Sequence, residues 1–334
     1  MRNEELLMRL TQTYGVSGHE QPVREIIEAE IRPLADEVMT DALGNLIAVC
    51  HGSSEGKRLM FAAHMDEIGL MVKKIEKSGL LRVCNVGWNW AASLYNARVR
   101  FMNGTVGVVG CMKEILESKN DIGELYIDIG AKDQTDAERM VHIGDVCGSY
   151  GPYLKMANDI VTAKTLDDRI GCFQLIEAMR EKRNGRNECV YVFTVQEEVG
   201  CRGSRTAAAR IQPDIGFAVD ITPAHDTPCD LEGSNTVGQG IGIKYADPSV
   251  LCDGQVIDTM IACCTAGGIV WQPEVIDKGG TDASSMNLSG FGVRCSGIST
   301  VTRYPHSPGS AASLQDIEAG TRLISALKDA VFAF

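Results

Sequence analysis

The 334-residue chain lacks the features of three protein classes. It has no long hydrophobic run, because its most apolar stretch, residues 261–271, is far shorter than the roughly 20 residues that cross a bilayer. It has no excess of basic charge: the formal net charge is -12, whereas proteins that bind nucleic acids carry basic surfaces. Its 44% hydrophobic content is too high for a disordered chain. The sequence therefore predicts a globular protein with neither a membrane span nor a nucleic-acid partner.

The 12 cysteines are spread along the chain and include no C-x-x-C pair. That spacing is typical of neither a zinc ribbon nor a disulfide scaffold. The first residues, 1–5, are mostly polar and lack the apolar segment of a signal peptide. We therefore expect a cytoplasmic protein in which most cysteines are small core residues.

Two kinds of hydrophobic pattern divide the chain. The first 67 residues combine helical spacing with continuous apolar runs, such as residues 58–64, that are typical of strands buried on both faces. The same alternation of helices and strands returns after about residue 160. Residues 68–160 instead show short strands separated by turns, and Asn103-Gly104 is a hairpin signal. These patterns predict the α/β class, with a three-layer α/β/α domain of residues 1–67 plus 161–334 and a small all-β domain inserted at 68–160.

Residues of metal-ligand type follow the predicted buried strands or begin the helix after one. They are His64, an aspartate of the Asp167-Asp168 pair, Glu198, Asp220 and His306. In an open α/β sheet, binding sites form in the crevice at the carboxyl ends of the strands. Each residue taken singly has a structural explanation, such as a helix N-cap for the aspartate pair. Because the five occur together at such positions, the sequence predicts that they converge.

Two imidazoles and three carboxylates are a ligand set suited to two borderline divalent ions such as Zn²⁺. One carboxylate must bridge the ions, which lie roughly 3.5–4 Å apart in two-metal sites. Glu197, next to a predicted ligand, is placed to act as the general base toward a water molecule. Asp66, two residues after His64, is placed to hydrogen-bond the far ring nitrogen of that imidazole and thereby fix its orientation.

Six motifs together resemble the tetrahedral aminopeptidases, the glutamyl aminopeptidase family of cytosolic dinuclear metallopeptidases. They are AHMDEIG at 63–69, LDDRIG at 166–171, FTVQEEVGCRGS at 193–204, VDITPAHDTP at 219–228, GGTDA at 279–283 and TRYPHSP at 302–308. Their order and spacing cover nearly the whole chain, and the combination is specific although no single motif is.

The resemblance implies a role for each candidate residue. His64 and Asp220 would each bind one side of the metal pair, Asp167 rather than Asp168 would bridge, and Glu198 and His306 would complete the site. In the same way Glu197 would be the general base, and Asp66 would orient His64. The ions would be two divalent metals per chain, zinc or cobalt. The resemblance also implies that the all-β insert forms dimers, which assemble into a dodecamer.

We therefore expect a cytoplasmic metallo-aminopeptidase that removes N-terminal residues from short peptides. Two alternatives stay open at this point. The same dinuclear site could hydrolyse another amide, as in a deacylase, or the chain could be a catalytically silent assembly homologue. The silent homologue predicts missing ligands, and every ligand position is filled in this sequence.

Overall fold

The computed structural model describes residues 3–181, 185–228 and 232–334. The sequence also predicts a helix over residues 167–183, whose last two residues lie outside the described residues, as does Cys229. The helices are α1 (Glu4–Gln12), α2 (Gln21–Ile31), α3 (Ala91–Leu94), α4 (Gln134–Glu138), α5 (Leu166–Glu181), α6 (Arg202–Ile211), α7 (Gly254–Gly267), α8 (Asp282–Asn287) and α9 (Leu314–Leu327). No helix in these ranges is both long enough and apolar enough to cross a membrane.

The strands belong to two sheets. The larger sheet contains β1 (Glu37–Thr40), β2 (Leu46–Cys50), β3 (Arg58–His64), β10 (Leu154–Lys155), β11 (Ile160–Ala163), β12 (Glu188–Thr194), β13 (Ile215–Pro223), β14 (Ile241–Asp247), β15 (Val250–Leu251), β16 (Trp271–Val275), β17 (Arg294–Arg303) and β18 (Ser310–Ser313). The smaller sheet contains β4 (Gly69–Ile75), β5 (Leu81–Val86), β6 (Arg98–Phe101), β7 (Val106–Cys111), β8 (Leu125–Asp128) and β9 (Val146–Ser149).

Four parallel strands, in the order β12-β3-β13-β17, form the centre of the larger sheet. Both faces of this centre are covered. Alternate residues of β3 divide between two cores, since Phe61 packs with α1, α2 and α5 whereas Met60 packs with α6 and α8. The arrangement confirms the predicted three-layer α/β/α fold. It also explains why the sequence of β3 is continuously apolar rather than alternating.

Residues 69–149 form the smaller sheet, which closes into a six-stranded barrel in the order β4-β5-β8-β7-β6-β9. The barrel has its own apolar core, separate from that of the larger sheet. The predicted hairpin is present, since β6 and β7 pair antiparallel on either side of Asn103-Gly104. These observations confirm a small all-β unit inserted into the α/β fold.

The limits of the two domains, 67/68 and 160/161, stay a prediction. After β9 the chain leaves the barrel, and both β10 and β11 pair in the larger sheet. The sequence did not predict β14, β16 or β18, which are short or interrupted by polar residues and glycine. Tertiary pairing with β17 stabilises β14 and β18 despite their weak local pattern.

Three stacked aromatic rings pack the central strands together. The ring of Phe61 on β3 lies 5.6 Å from that of Tyr191 on β12 and 5.0 Å from that of Phe217 on β13. All three side chains are almost completely buried. Removal of the central ring would leave a cavity between the strands that carry the polar residues described below.

We therefore predict that Phe61→Ala lowers the free energy of unfolding by about 3–5 kcal/mol. Urea denaturation followed by circular dichroism measures the change. Phe291→Ala is the matched control, because Phe291 is fully exposed and an exposed substitution changes stability by about 0.5 kcal/mol or less. Equal stabilities of the two variants would contradict this account of the core.

Candidate metal centre

The carboxyl edge of the parallel sheet brings the predicted residues together. His64 ends β3 and is in register with Thr194, which ends the neighbouring β12. The turn after β12 carries Glu197 and Glu198. Asp220 lies on β13, at the other side of β3. The prediction that these strands end around one crevice is therefore matched by the register of the sheet.

Two groups of ligand-type side chains share one carboxylate, that of Asp167. In the first group, His64 Nε2 lies 3.0 Å from Asp167 Oδ1 and 3.9 Å from Asp220 Oδ1. In the second group, His306 Nε2 lies 3.2 Å from Asp167 Oδ2 and 3.6 Å from Glu198 Oε2. Each group has three ligand atoms within 4.8 Å of one another. The two oxygens of Asp167 thus face different histidines.

Asp168 differs from Asp167 because both of its oxygens are engaged by the main chain. The His64 amide donates to one oxygen at 3.1 Å, and the Gly171 amide donates to the other at 2.9 Å. The peptide bond between the two aspartates is cis. Asp168 is completely buried, whereas the carboxylate of Asp167 borders the crevice. Of the pair, Asp167 is therefore the residue with oxygens directed at the two histidines.

Asp66 is the buried carboxylate that joins these elements. Its Oδ1 accepts a hydrogen bond from the Glu197 amide at 3.0 Å, and its Oδ2 accepts from the Glu198 amide at 3.2 Å. Ser17 Oγ donates to Oδ2 at 2.6 Å. His64 Nδ1 lies 3.2 Å from the main-chain oxygen of Asp66 and 3.5 Å from its Oδ1. One residue thereby orients both the imidazole and the turn that carries the two glutamates.

His306 is oriented by the barrel. Its Nδ1 lies 2.7 Å from the main-chain oxygen of Trp88, in the segment that follows β5. This contact leaves the other ring nitrogen, Nε2, facing Asp167 and Glu198. Gly87 has a φ of +74°, and a Cβ there would lie 3.2 Å from Cβ of Glu198, so this segment passes close to the glutamate turn. The second ligand group therefore combines residues of the α/β unit with a carbonyl of the barrel.

Burial shifts the pKa of several groups in the crevice. It raises the pKa of Glu198 to about 8 and that of Asp220 to about 7. Burial also raises the pKa of Glu197 well above its ordinary value. Burial disfavours a charge on Asp167 too, but hydrogen bonds from His306 and His64 outweigh it and hold its pKa below the usual range. The protein alone thus supplies too little positive charge to keep most of these carboxyl groups ionised.

The acidic groups outnumber the protein cations in this region. Seven carboxyl groups surround the two histidines: Asp66, Asp167, Asp168, Asp220, Glu197, Glu198 and Asp282. The buried cations Lys164 and Arg169 both face Glu67, which is not one of the seven. Buried charge is costly unless it is paired or binds metal. The donor set therefore fits divalent cations held by imidazole and carboxylate.

Sequence reasoning missed several residues of this region. The sequence of the GGTDA motif at 279–283 predicts a tight loop and a helix N-cap, and Thr281 does cap α8. The next residue, Asp282, is however buried beside Glu197. The Sγ atom of Cys201 lies 3.1 Å from Glu197 Oε1. Neither residue has a local signal beyond its place next to a predicted turn. Only the packing of α6 against α8 brings them to the crevice.

Comparison with known proteins adds an independent finding. Residues 44–323 match the M42 glutamyl aminopeptidase family. The lysyl aminopeptidase of Pyrococcus furiosus is 33% identical over 97% of this chain and 96% of its own. The structure of an aminopeptidase from Desulfurococcus kamchatkensis superimposes with a TM-score of 0.92 at 32% identity, covering 97% of this chain and 94% of its own.

A third relative is an assembling peptidase. The TET1 peptidase of Pyrococcus horikoshii, which can assemble into a tetrahedron or a large octahedral shell, superimposes with a TM-score of 0.86 at 32% identity. The match covers 98% of this chain and 99% of the relative. The resemblance found in the motifs is thus confirmed over the full length. The chain belongs to the M42 glutamyl aminopeptidase family of metallopeptidases and is a peptide hydrolase.

Proposed function

We propose that this protein is a dinuclear metallo-aminopeptidase that removes N-terminal residues from short peptides. The single observation that carries the proposal is the pair of ligand groups that share Asp167 beside the buried Glu197. The family match supports the peptidase chemistry. The names of relatives, lysyl and glutamyl aminopeptidase, support exopeptidase activity.

His64 and Asp220 would hold one ion, His306 and Glu198 the other, and Asp167 would bridge them. Zinc or cobalt suits this set of imidazole and carboxylate ligands. When bound, the metal pair would polarise the scissile carbonyl and lower the pKa of a water molecule to about 7. The acidic crevice would also attract the positively charged amino terminus of a peptide.

Glu197 would be the general base. It accepts a proton from the attacking water and returns it to the nitrogen of the leaving amine, as a positioned carboxylate does in acid–base catalysis. Its amide is fixed by Asp66, so the side chain starts from a defined position. Asp66 would orient His64 and the glutamate turn without contacting the substrate.

A substrate panel separates the aminopeptidase from an enzyme that hydrolyses another amide. Amino-acid p-nitroanilides, short peptides with free or acetylated amino termini and N-acyl amino acids would be assayed with Zn²⁺, Co²⁺ and Mn²⁺. We expect cleavage of free-amino substrates only. Faster cleavage of the acylated compounds would favour the deacylase, and inactivity toward every substrate with every metal would favour a silent assembly homologue.

Location and assembly are part of the same proposal. The described cysteines form no disulfide bond, which supports the proposed cytoplasmic location. The assembling TET1 relative supports a homo-oligomer. We propose that the barrel forms the dimer contact and that dimers build a dodecamer. The barrel offers an apolar outer surface for this purpose, since Val106 and Val108 alternate with buried residues on β7 and face solvent.

The first prediction from this proposal separates the roles of the two adjacent glutamates. Glu197→Gln should keep both ions and the fold but lose about 10²–10⁴-fold in kcat, because the amide cannot accept a proton. Glu198→Gln should lose metal together with activity. Metal content and kcat would be measured on the same preparations. The roles must be exchanged if Glu197→Gln sheds metal while Glu198→Gln retains it.

The second prediction concerns ligand number. Purified protein should contain two divalent ions per chain, and His306→Ala should lose one of them, as measured by elemental analysis after dialysis. His142→Ala is the matched control, because that histidine is exposed in the barrel and should retain both ions. Retention of two equivalents by His306→Ala at wild-type affinity would refute the ligand assignment.

The third prediction concerns the dimer contact. A double variant, Val106→Asp with Val108→Asp, should dissociate the assembly, because it places charge in an apolar interface. Light scattering measures the mass. Val331→Asp is the control, since Val331 is also exposed but is not part of the barrel sheet. Unchanged assembly of the double variant would exclude this face of the barrel.

A further inference from the structure

A third group of ligand-type side chains lies beside the two that share Asp167. It consists of Glu197, Cys201 and Asp282, each of which places one ligand atom within 4.8 Å of the others. The shortest contact is the 3.1 Å between Cys201 Sγ and Glu197 Oε1. The group differs chemically from the other two because it contains a thiol and no imidazole.

The fold holds the three residues in place. Cys201 is the N-cap of α6, four residues after Glu197, and adopts a left-handed conformation with φ of 50°. Asp282 is the first residue of α8, directly after the cap Thr281. Cys201 Sγ also lies 3.5 Å from the main-chain oxygen of Thr281. The two helix starts therefore meet at the glutamate turn.

Asp282 provides an independent sign that a ligand belongs there. Its side chain is only 2% exposed. One oxygen accepts a hydrogen bond from Thr194 Oγ1 at 2.6 Å. Ser204 also lies against the carboxylate, but its one hydroxyl proton is donated to the main-chain oxygen of Cys201 at 3.1 Å, so the other oxygen, Oδ1, is buried without a donor of its own. A buried carboxylate oxygen without a partner is costly. A cation between Asp282, Glu197 and Cys201 would remove that cost.

Charge supports the same conclusion. Two divalent ions supply four positive charges, which is fewer than the seven carboxyl groups of the crevice. Burial, together with the carboxylates of Glu197 and Asp282, raises the pKa of the Cys201 thiol. The thiol is therefore protonated while no cation is present, and it would release its proton to solvent on binding a metal.

We propose that Glu197, Cys201 and Asp282 form a third divalent-ion site that inhibits the enzyme when it is occupied. A thiolate with two carboxylates selects a thiophilic ion, Zn²⁺ or Cd²⁺, over Mg²⁺ or Mn²⁺. Cys201 is partly exposed, so an ion can reach the group from solvent. The inhibition rests on the proposed function, because an ion on Glu197 occupies the oxygens that would accept a proton. Binding itself does not depend on that role.

Cadmium stoichiometry tests the site directly. The purified enzyme would be dialysed against Cd²⁺ until its ions have exchanged, and bound cadmium would be measured together with the ultraviolet thiolate-to-cadmium absorption. We expect three ions per chain and the absorption band in the wild type, but two ions and no band in Cys201→Ala. Cys263→Ala is the matched control, a partly buried cysteine of α7 whose loss should change neither result.

Asp282→Asn provides a second variant that keeps the cysteine. It should weaken binding of the third ion at least about tenfold, since loss of even an outer partner typically costs 10- to 100-fold in metal affinity. Equal third-ion affinity in the wild type and Cys201→Ala, or only two ions in the wild type, would overturn the proposal.

Activity measurements distinguish a failure of the third site from a failure of the proposed catalytic role of Glu197. Excess Zn²⁺ should reduce kcat of the zinc-loaded wild type, and at least about tenfold more Zn²⁺ should be needed for the same fractional loss in Cys201→Ala. Rates would be expressed relative to each variant without excess metal. A third cadmium ion that binds through Cys201 but leaves kcat unchanged would uphold the site and contradict Glu197 as the base.

Discussion

The site depends above all on the hydrogen bonds of one buried carboxylate, that of Asp66. It accepts from the amides of Glu197 and Glu198 and from the hydroxyl of Ser17, while His64 contacts the same residue. These contacts join the end of β3, the turn after β12 and the loop between α1 and α2. Burial alone would raise the pKa of Asp66, but the hydrogen bond and positive charge of His64, together with the donors Ser17 and the Glu197 amide, lower it. The histidine and the two glutamates are thereby held in one arrangement before any substrate or ion arrives.

The second constraint is that two structural units, the α/β unit and the barrel, both contribute groups to the site. The α/β unit supplies the side chains, whereas the barrel supplies the carbonyl that orients His306. The buried pair of Glu67 and Lys164 lies at the same junction, with Nζ 2.7 Å from Oε1. Arg169 also lies 3.6 Å from Glu67, so one carboxylate joins two buried cations where the chain enters the barrel. Barrel and metal centre are consequently coupled, and a contact made by the barrel in an assembly can affect the geometry around His306.

Much of this architecture follows from the sequence, and the rest depends on long-range packing. The apolar run of β3 predicted a strand buried on both faces, and the parallel register then places His64 beside the turn after β12. Local patterns could not predict β14 or β18, because both are stabilised chiefly by pairing with β17. Nor could they reveal Asp282 beside Glu197, since 85 residues of chain separate the two and only the contact of α6 with α8 joins them. Motif resemblance predicted the family correctly, because six motifs in the same order and spacing are specific together.

The central claim is that Asp167 lies between two divalent ions held by His64, Asp220, Glu198 and His306. Anomalous diffraction from crystals of the zinc-loaded enzyme, recorded on both sides of the zinc absorption edge, tests it most directly. The account predicts two strong peaks per chain in contact with the carboxylate of Asp167, in addition to any ion held by Glu197, Cys201 and Asp282. A single peak, or two peaks of which neither contacts Asp167, would contradict it.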